Sequence, residues 1–252
     1  MKQKSYHSLA PFYDTLTGNV DYSAIHSFYS SVFCTFGHSP KILLDLACGT
    51  GTLTFSFEKD GIEVIGADSS ETMLSVAMEK KYELNSSALF LCQAAHRLDL
   101  YGTVDTTVCN LDAVNHFSPD TMDEAFRRVS LFTEPNGLFV FDVNSPYKFE
   151  KLLSDQCYSY DASGVFCCWN STFDGKKAVI TLDLFSEEAD KSYRRETETV
   201  TEYFYSDEFL RSLLEKHGFD CLAVYADFSL SEPKEESQRI HYVARKREMK
   251  HE

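Results

Sequence analysis

Leu44-Asp-Leu-Ala-Cys-Gly-Thr-Gly-Thr-Leu53 is the stretch on which the reading of this chain turns. It begins inside a nearly continuous apolar run, Lys41 to Ala47, of the kind that forms a strand buried on both faces. Gly49 and Gly51 then allow a sharp turn and let a ligand lie against bare backbone, before a helix opens. Ligands of a parallel sheet bind at the carboxyl ends of its strands, which is where this turn would stand. The dinucleotide fingerprint GxGxxG needs a third glycine, and that position is Thr54, so the match fails. No GK[ST] is present, which removes a P-loop. Asp68 stands 17 residues beyond Gly51, at the end of the next apolar run, where a carboxylate can accept both hydroxyls of a ribose diol.

Working outward, Glu63–Asp68, Ala88–Cys92, Val104–Asn110 and Gly137–Val143 predict four further strands. Helical signals fall between them. Ser69 is expected to cap a helix through Lys81, with Glu71 in its first turn and Met73, Leu74, Ala77 and Met78 on one face. Ser118-Pro119 starts another, carried by Met122, Phe126 and Val129, and Tyr22 to Phe36 forms one at the front. Such alternation predicts an α/β fold, a parallel sheet wound on both faces.

The pattern changes after about residue 155. Ala178 to Phe185 and Glu196 to Tyr205 alternate with period two, and Asp174-Gly175 signals a hairpin. Residues 156–204 therefore read as an antiparallel insertion with one solvated face. Ser206 then caps a helix from Asp207 to His217, Gly218 ends it, and strands Phe219–Phe228 and Gln238–Arg245 close the chain. The expected organisation is a leading segment and core over 1–155, the insertion over 156–204, and completion of the core over 205–252.

Composition narrows the function. At 43% hydrophobic and 25% charged, the 252 residues suit one large globular domain, or one domain carrying an insertion. Lysine and arginine number 24 against 39 acidic residues, a net charge of −15, which repels phosphate backbones and anionic lipid. The basic clusters are short: Arg127-Arg128, Arg194-Arg195 and the tail from Arg245 to Lys250. No run approaches the roughly 18–20 apolar residues of a membrane span, and no apolar signal core follows the polar Met1 to Lys4. Eight cysteines without CxxC spacing read as reduced thiols, no Cys or His pair has metal-ligand spacing, and the expected compartment is the cytoplasm.

The segment Asp45-Leu-Ala-Cys-Gly-Thr-Gly51 with Asp68 resembles the Rossmann-like (class I) methyltransferases that use S-adenosylmethionine (SAM). The resemblance runs through nearly the whole chain and is nearest to small bacterial enzymes similar to glycine N-methyltransferase. Ala10-Pro-Phe-Tyr-Asp14, Val20-Asp-Tyr22, Leu111-Asp-Ala-Val-Asn115 and Phe141-Asp-Val-Asn-Ser145 carry it further. It implies a Rossmann-like doubly wound seven-stranded sheet, mostly parallel with an antiparallel final strand, plus the small β insertion. It also implies roles. Asp45 would order the glycine turn, while Ala47, Cys48, Gly49 and Gly51 face the methionine and ribose. Asp68 would take the ribose hydroxyls, with Ser69 and Met73 beside the adenine and Gln93 and Ala94 at its edge. Many relatives carry an acidic residue in place of Ala94. Asn110 and Leu111 would meet the methionine end, and Tyr13 would fold over it.

Methyl transfer from a sulfonium is an in-line displacement, so the protein gains most by aligning donor and acceptor and excluding water. If a base is used, His116 or Asp112 is placed for it, and Tyr22, Asn115, Asn144 and Trp169 are the candidate acceptor contacts. The expected acceptor pocket lies between the loop Asp112–Phe117, the leading segment Tyr6–Tyr22 and the insertion, which would act as a lid. The expected activity is methyl transfer to a small molecule. Two alternatives stand beside it: the same cofactor with an RNA or protein acceptor, and a nicotinamide-dependent oxidoreductase or non-catalytic SAM-binding module.

Overall fold

The computed structural model describes residues 8–162 and 164–248. Tyr6, the expected start of the leading segment, lies outside them, as do the last residues of the basic tail. Strands β1 (Ile42–Leu46), β2 (Glu63–Asp68), β3 (Leu89–Cys92), β4 (Val104–Cys109) and β5 (Thr133–Asn144) build the core, with α3 (Thr52–Glu58), α4 (Glu71–Leu84) and α5 (Pro119–Phe132) between them. Ahead of them stand α1 (Tyr13–Leu16) and α2 (Tyr22–Thr35), the latter capped by Asp21, whose carboxylate accepts the Ala24 N–H. After the insertion come α6 (Asp207–Lys216) and two last strands, which are numbered below with the insertion strands.

The insertion is β6 (Gln156–Ala162), β7 (Val165–Phe173), β8 (Lys177–Glu187) and β9 (Tyr193–Tyr203), a separate antiparallel sheet in chain order. With β10 (Phe219–Ala226) and β11 (Arg239–Lys246) the main sheet has seven strands in the order β10-β11-β5-β4-β1-β2-β3. Only β11 runs against its neighbours. The chain leaves β1 toward β2 and β3 and returns to β4 on the other side, so the switch point lies between β1 and β4.

Period-two alternation sorts the side chains. Leu43, Val108, Leu138 and Val140 face α2 and α3, where Phe28, Tyr29, Val32 and Phe57 pack. Leu44, Leu46, Phe139 and Phe141 face α5 and α6, against Phe126, Leu210 and Leu214. A third cluster joins the insertion to the leading segment: Ile180, Leu182, Leu184 and Val200 pack with Leu9, Phe149 and, at the margin, Tyr13.

Four details depart from the sequence reading. The cap of α4 is Ser70, whose hydroxyl accepts the Met73 N–H, and not Ser69. The helix also runs on to Leu84, closed by Asn85 in the left-handed region. β10 stops at Ala226 because Asp227 and Phe228 both take positive φ. On β9 the solvated face expected of the insertion holds Thr197 and Thr199, whereas Glu198 and Glu202 are buried on the inner face beside Val200. No disulfide joins the eight cysteines.

Candidate active site

A cavity of about 670 Å³ opens at the carboxyl ends of β1, β2 and β4. Its floor is the glycine turn. Ala47, Gly49 and Gly51 all have positive φ, so the backbone coils tightly between β1 and α3. A Cβ on Gly49 would meet nothing within 4 Å, so bare backbone faces the cavity there. A Cβ on Gly51 would press on Phe55 and Phe90 at 3.1 Å, so this glycine serves packing. Asp68 ties the turn to the next helix: one oxygen accepts the Gly49 N–H at 2.9 Å and the other the Ser70 N–H at 2.8 Å. Burial raises its pKa, and those two N–H groups oppose the rise.

Asp45 lies beneath the turn and is 2% exposed. The Thr54 hydroxyl donates to it at 2.6 Å and the Asn110 amide lies at 3.5 Å. Burial lifts its pKa to about 6 against those two bonds. Thr54 stands where a dinucleotide site has its third glycine, and here its hydroxyl is the partner of a buried carboxyl.

The loop after β4 is strained. Leu111 and Asp112 are consecutive left-handed residues, at φ of 53° and 58°. They are held from behind, because the Asp112 N–H donates to Asp142 at 2.7 Å. Arg239 on β11 donates to Asp112 at 2.6 Å and to Asp142. Burial works against the Asp112 charge, but the Arg239 guanidinium holds its carboxyl below the usual range. Asp112 is thus the partner of an arginine, which argues against its use as a base. It does not line the cavity; His116, one turn on, does.

The roof comes from distant sequence. Tyr13 and Tyr22 line it from the leading segment, and burial raises both phenol pKa values. Asp14 latches that segment to the floor, accepting from the Thr50 hydroxyl at 2.7 Å and pairing with Lys80 at 2.5 Å. On the other side the Leu9 N–H donates to buried Glu198 at 3.1 Å. Thr199, Thr201 and Tyr203 of β9 complete the wall.

Of the other residues expected from sequence, Ala47, Cys48, Ser69, Met73, Ala94, Asn110 and Leu111 line the cavity. Five do not, each for a visible reason. Gly51 turns into α3, and Gln93 exchanges two hydrogen bonds with the Asp99 backbone. Asn115 is fully buried, donating to the Tyr203 carbonyl and accepting the Asn144 N–H, while Asn144 donates to Glu202. These two asparagines fasten the insertion to the core instead of meeting an acceptor. Trp169 lies inside the insertion, stacked beside Tyr160. Sequence reading missed Thr50, which stands inside the glycine motif without a role of its own there, and Thr121 and the β9 threonines, small polar residues outside any motif.

Ligand-type atoms of Asp112, His116 and Glu202 lie within 4.8 Å of one another, although Arg239 already occupies Asp112. The cavity lining holds Asp45, Asp68 and Glu71 and, among the described residues, no lysine or arginine. The nearby Lys80 is neutralised by Asp14. Asn110 Oδ1 is buried without a protein partner among the described residues. This lining suits a ligand bearing ammonium and sulfonium charge, and opposes a pyrophosphate.

The family described as "Methyltransferase domain" matches residues 43–137. YqeM of Bacillus subtilis (strain 168), provisionally named a methyltransferase, is 28% identical, covering 96% of this chain and 97% of that one. Rat glycine N-methyltransferase is 24% identical over 58% of this chain and 56% of its own length. The crystal structure of an S-adenosylmethionine-dependent methyltransferase from Clostridium acetobutylicum ATCC 824 superposes with a TM-score of 0.87 at 27% identity, over 96% of this chain and 99% of that one. Over nearly its whole length this chain is similar to the Rossmann-like class I methyltransferases, and S-adenosylmethionine is its cofactor.

Proposed function

We propose that the chain methylates the nitrogen of a small-molecule amine. The carrying observation is the charge of the cavity: with no lysine or arginine in the lining among the described residues, nothing there would pair with a carboxylate, phenolate or phosphate acceptor. The name of the similar glycine N-methyltransferase is consistent with this. When bound, SAM supplies an electrophilic methyl group on a sulfonium that leaves as a neutral thioether. Asp68, Gly49 and Asn110 would hold it against the floor. An amine bound as ammonium must lose a proton before its lone pair can attack, and His116, which lines the cavity, would take that proton. The leading segment and the insertion, acting as a lid, would exclude water from the reacting atoms. A macromolecular acceptor would need a basic face, yet Arg127, Arg128, Arg194, Arg195 and Arg211 are each paired with a carboxylate.

Calorimetric titration with SAM, its demethylated product and NAD tests the cofactor site. SAM is expected to bind and NAD not, and Asp68→Ala should weaken SAM by at least about 2 kcal/mol, roughly 30-fold, because it also strands the Gly49 N–H. A panel of small amines, phenols and carboxylic acids incubated with SAM then tests the acceptor. Turnover confined to phenols or acids would sink the amine assignment.

A further inference from the structure

We propose that Glu202, on the insertion strand β9, is a positioning residue for His116, its carboxylate orienting the imidazole and compensating the proton taken from the acceptor. This rests on the reading that His116 faces the acceptor. The insertion would then supply part of the proton-handling machinery as well as a lid.

The position is hard to explain by packing. Glu202 is 5% exposed on a sheet face shared with Ile180, Leu182, Val200 and the buried Glu198, which accepts the Leu9 N–H, and its cross-strand neighbour is Ala178. A carboxylate on such a face is costly unless it serves a partner. Asn144 Nδ2 donates to one of its oxygens at 2.6 Å. Among the described residues no ion pair joins it to a lysine or arginine, in contrast to Asp112 with Arg239. An oxygen of Glu202 lies within 4.8 Å of a ring nitrogen of His116.

The surroundings fix that approach. Asn115, next to His116, donates to the Tyr203 carbonyl at 2.8 Å, and Tyr203 follows Glu202. The Asn144 N–H closes the ring onto Asn115 at 2.8 Å. The turn that carries His116 and the strand that carries Glu202 are thus fastened to each other. The charged groups around the imidazole include, among the described residues, Asp112 at 3.9 Å from its own turn, Glu202 from β9 and Asp68 from β2. Lys148 acts on Asp112 and Glu202, and Arg239 binds Asp112.

In the step itself the acceptor's N–H proton moves to a ring nitrogen of His116, and the freed lone pair forms the N–CH3 bond. The S–CH3 bond breaks with its electron pair on sulfur. Burial and Asp112 push the Glu202 carboxyl toward its protonated form, and the imidazolium together with Lys148 would favour its charge, while the proton leaves to solvent with the product. Charge balances without a further reactant.

The test needs no known acceptor. Diethyl pyrocarbonate modifies neutral imidazole, so the His116 modification rate is followed against pH by peptide mass spectrometry. Wild type, Glu202→Gln and Glu202→Asp are compared, and each sample is also titrated with SAM. Glutamine retains an oxygen for Asn144 and removes a buried charge, so the fold is expected to survive. In Glu202→Gln the pH of half-maximal rate should fall by about one unit, and the rate at pH 6 should rise about three- to tenfold. Glu202→Asp should lie between the two. Superimposable curves would overturn the proposal, as would an equal acceleration at every pH, which marks only a loosened turn. Absence of SAM binding by wild type would instead count against the functional reading.

Discussion

The floor and the roof of the cavity are built by opposite means. The floor lies within residues 45–73, and its chemistry is mostly backbone: left-handed turns at Ala47, Gly49 and Gly51, with Asp68 gathering two N–H groups. The roof draws on Tyr13, Asp14, His116, Glu202 and Arg239, more than two hundred residues apart at the extremes, joined by side chains. A site that binds a cofactor common to many enzymes can be local and repeated. A site that selects an acceptor is assembled from whichever elements the fold brings near, and its parts differ from chain to chain.

The sharpest way to break this contrast is Arg239→Met. It leaves Asp112 and Asp142 buried without their cation, and unfolding free energy in urea at pH 7.5 should drop by about 3–5 kcal/mol. A drop below about 1 kcal/mol would mean that the loop after β4 holds its strained shape without the arginine.

Asp45→Asn probes the floor. The folded-state pKa of about 6 stands above the usual value of 3.8, so the folded state favours the protonated carboxyl. The stabilising preference is complete below pH 4 and is lost as pH rises through 6. Asparagine removes the cost of ionisation, so the variant should be more stable than wild type by about 1–3 kcal/mol at pH 7.5, with the gap closing near pH 4. A gap independent of pH would assign the effect to packing.

Lys80→Ala gives the smallest effect and touches the seam between floor and roof. Its partner Asp14 is 38% exposed, so the ion pair is screened. The SAM dissociation rate should rise about two- to fivefold in stopped-flow measurements, with stability nearly unchanged. An unaltered rate would mean that the Thr50–Asp14 and Leu9–Glu198 hydrogen bonds suffice to hold the leading segment down.

Legibility followed the same division. β2 matches its sequence bounds, and β1, β4 and α6 agree to within a residue or two, because apolar runs and capping serines are local signals. Asp45, Gly49 and Asp68 were legible for that reason too. Asn115 and Asn144 were visible as motif residues, but their job was not: their position after strands suggested a ligand, and the structure engages them with Tyr203 and Glu202. Glu202 carried no signal, since alternating glutamates on an insertion strand look like a solvated face. Arg239 gave none either, because its two carboxylates lie 97 and 127 residues away.

By itself, then, the sequence determined the succession of strands and helices in the alternating half, the glycine turn and the acid that closes it, and these residues carried the resemblance that implied the cofactor. Those features depend on φ preference, periodicity and short spacing, which act between near neighbours. Tertiary structure alone decided which face of β9 is buried, which two carboxylates Arg239 neutralises and which acids gather around His116. Burial and charge pairing act through space, and no local pattern records which distant residue will arrive.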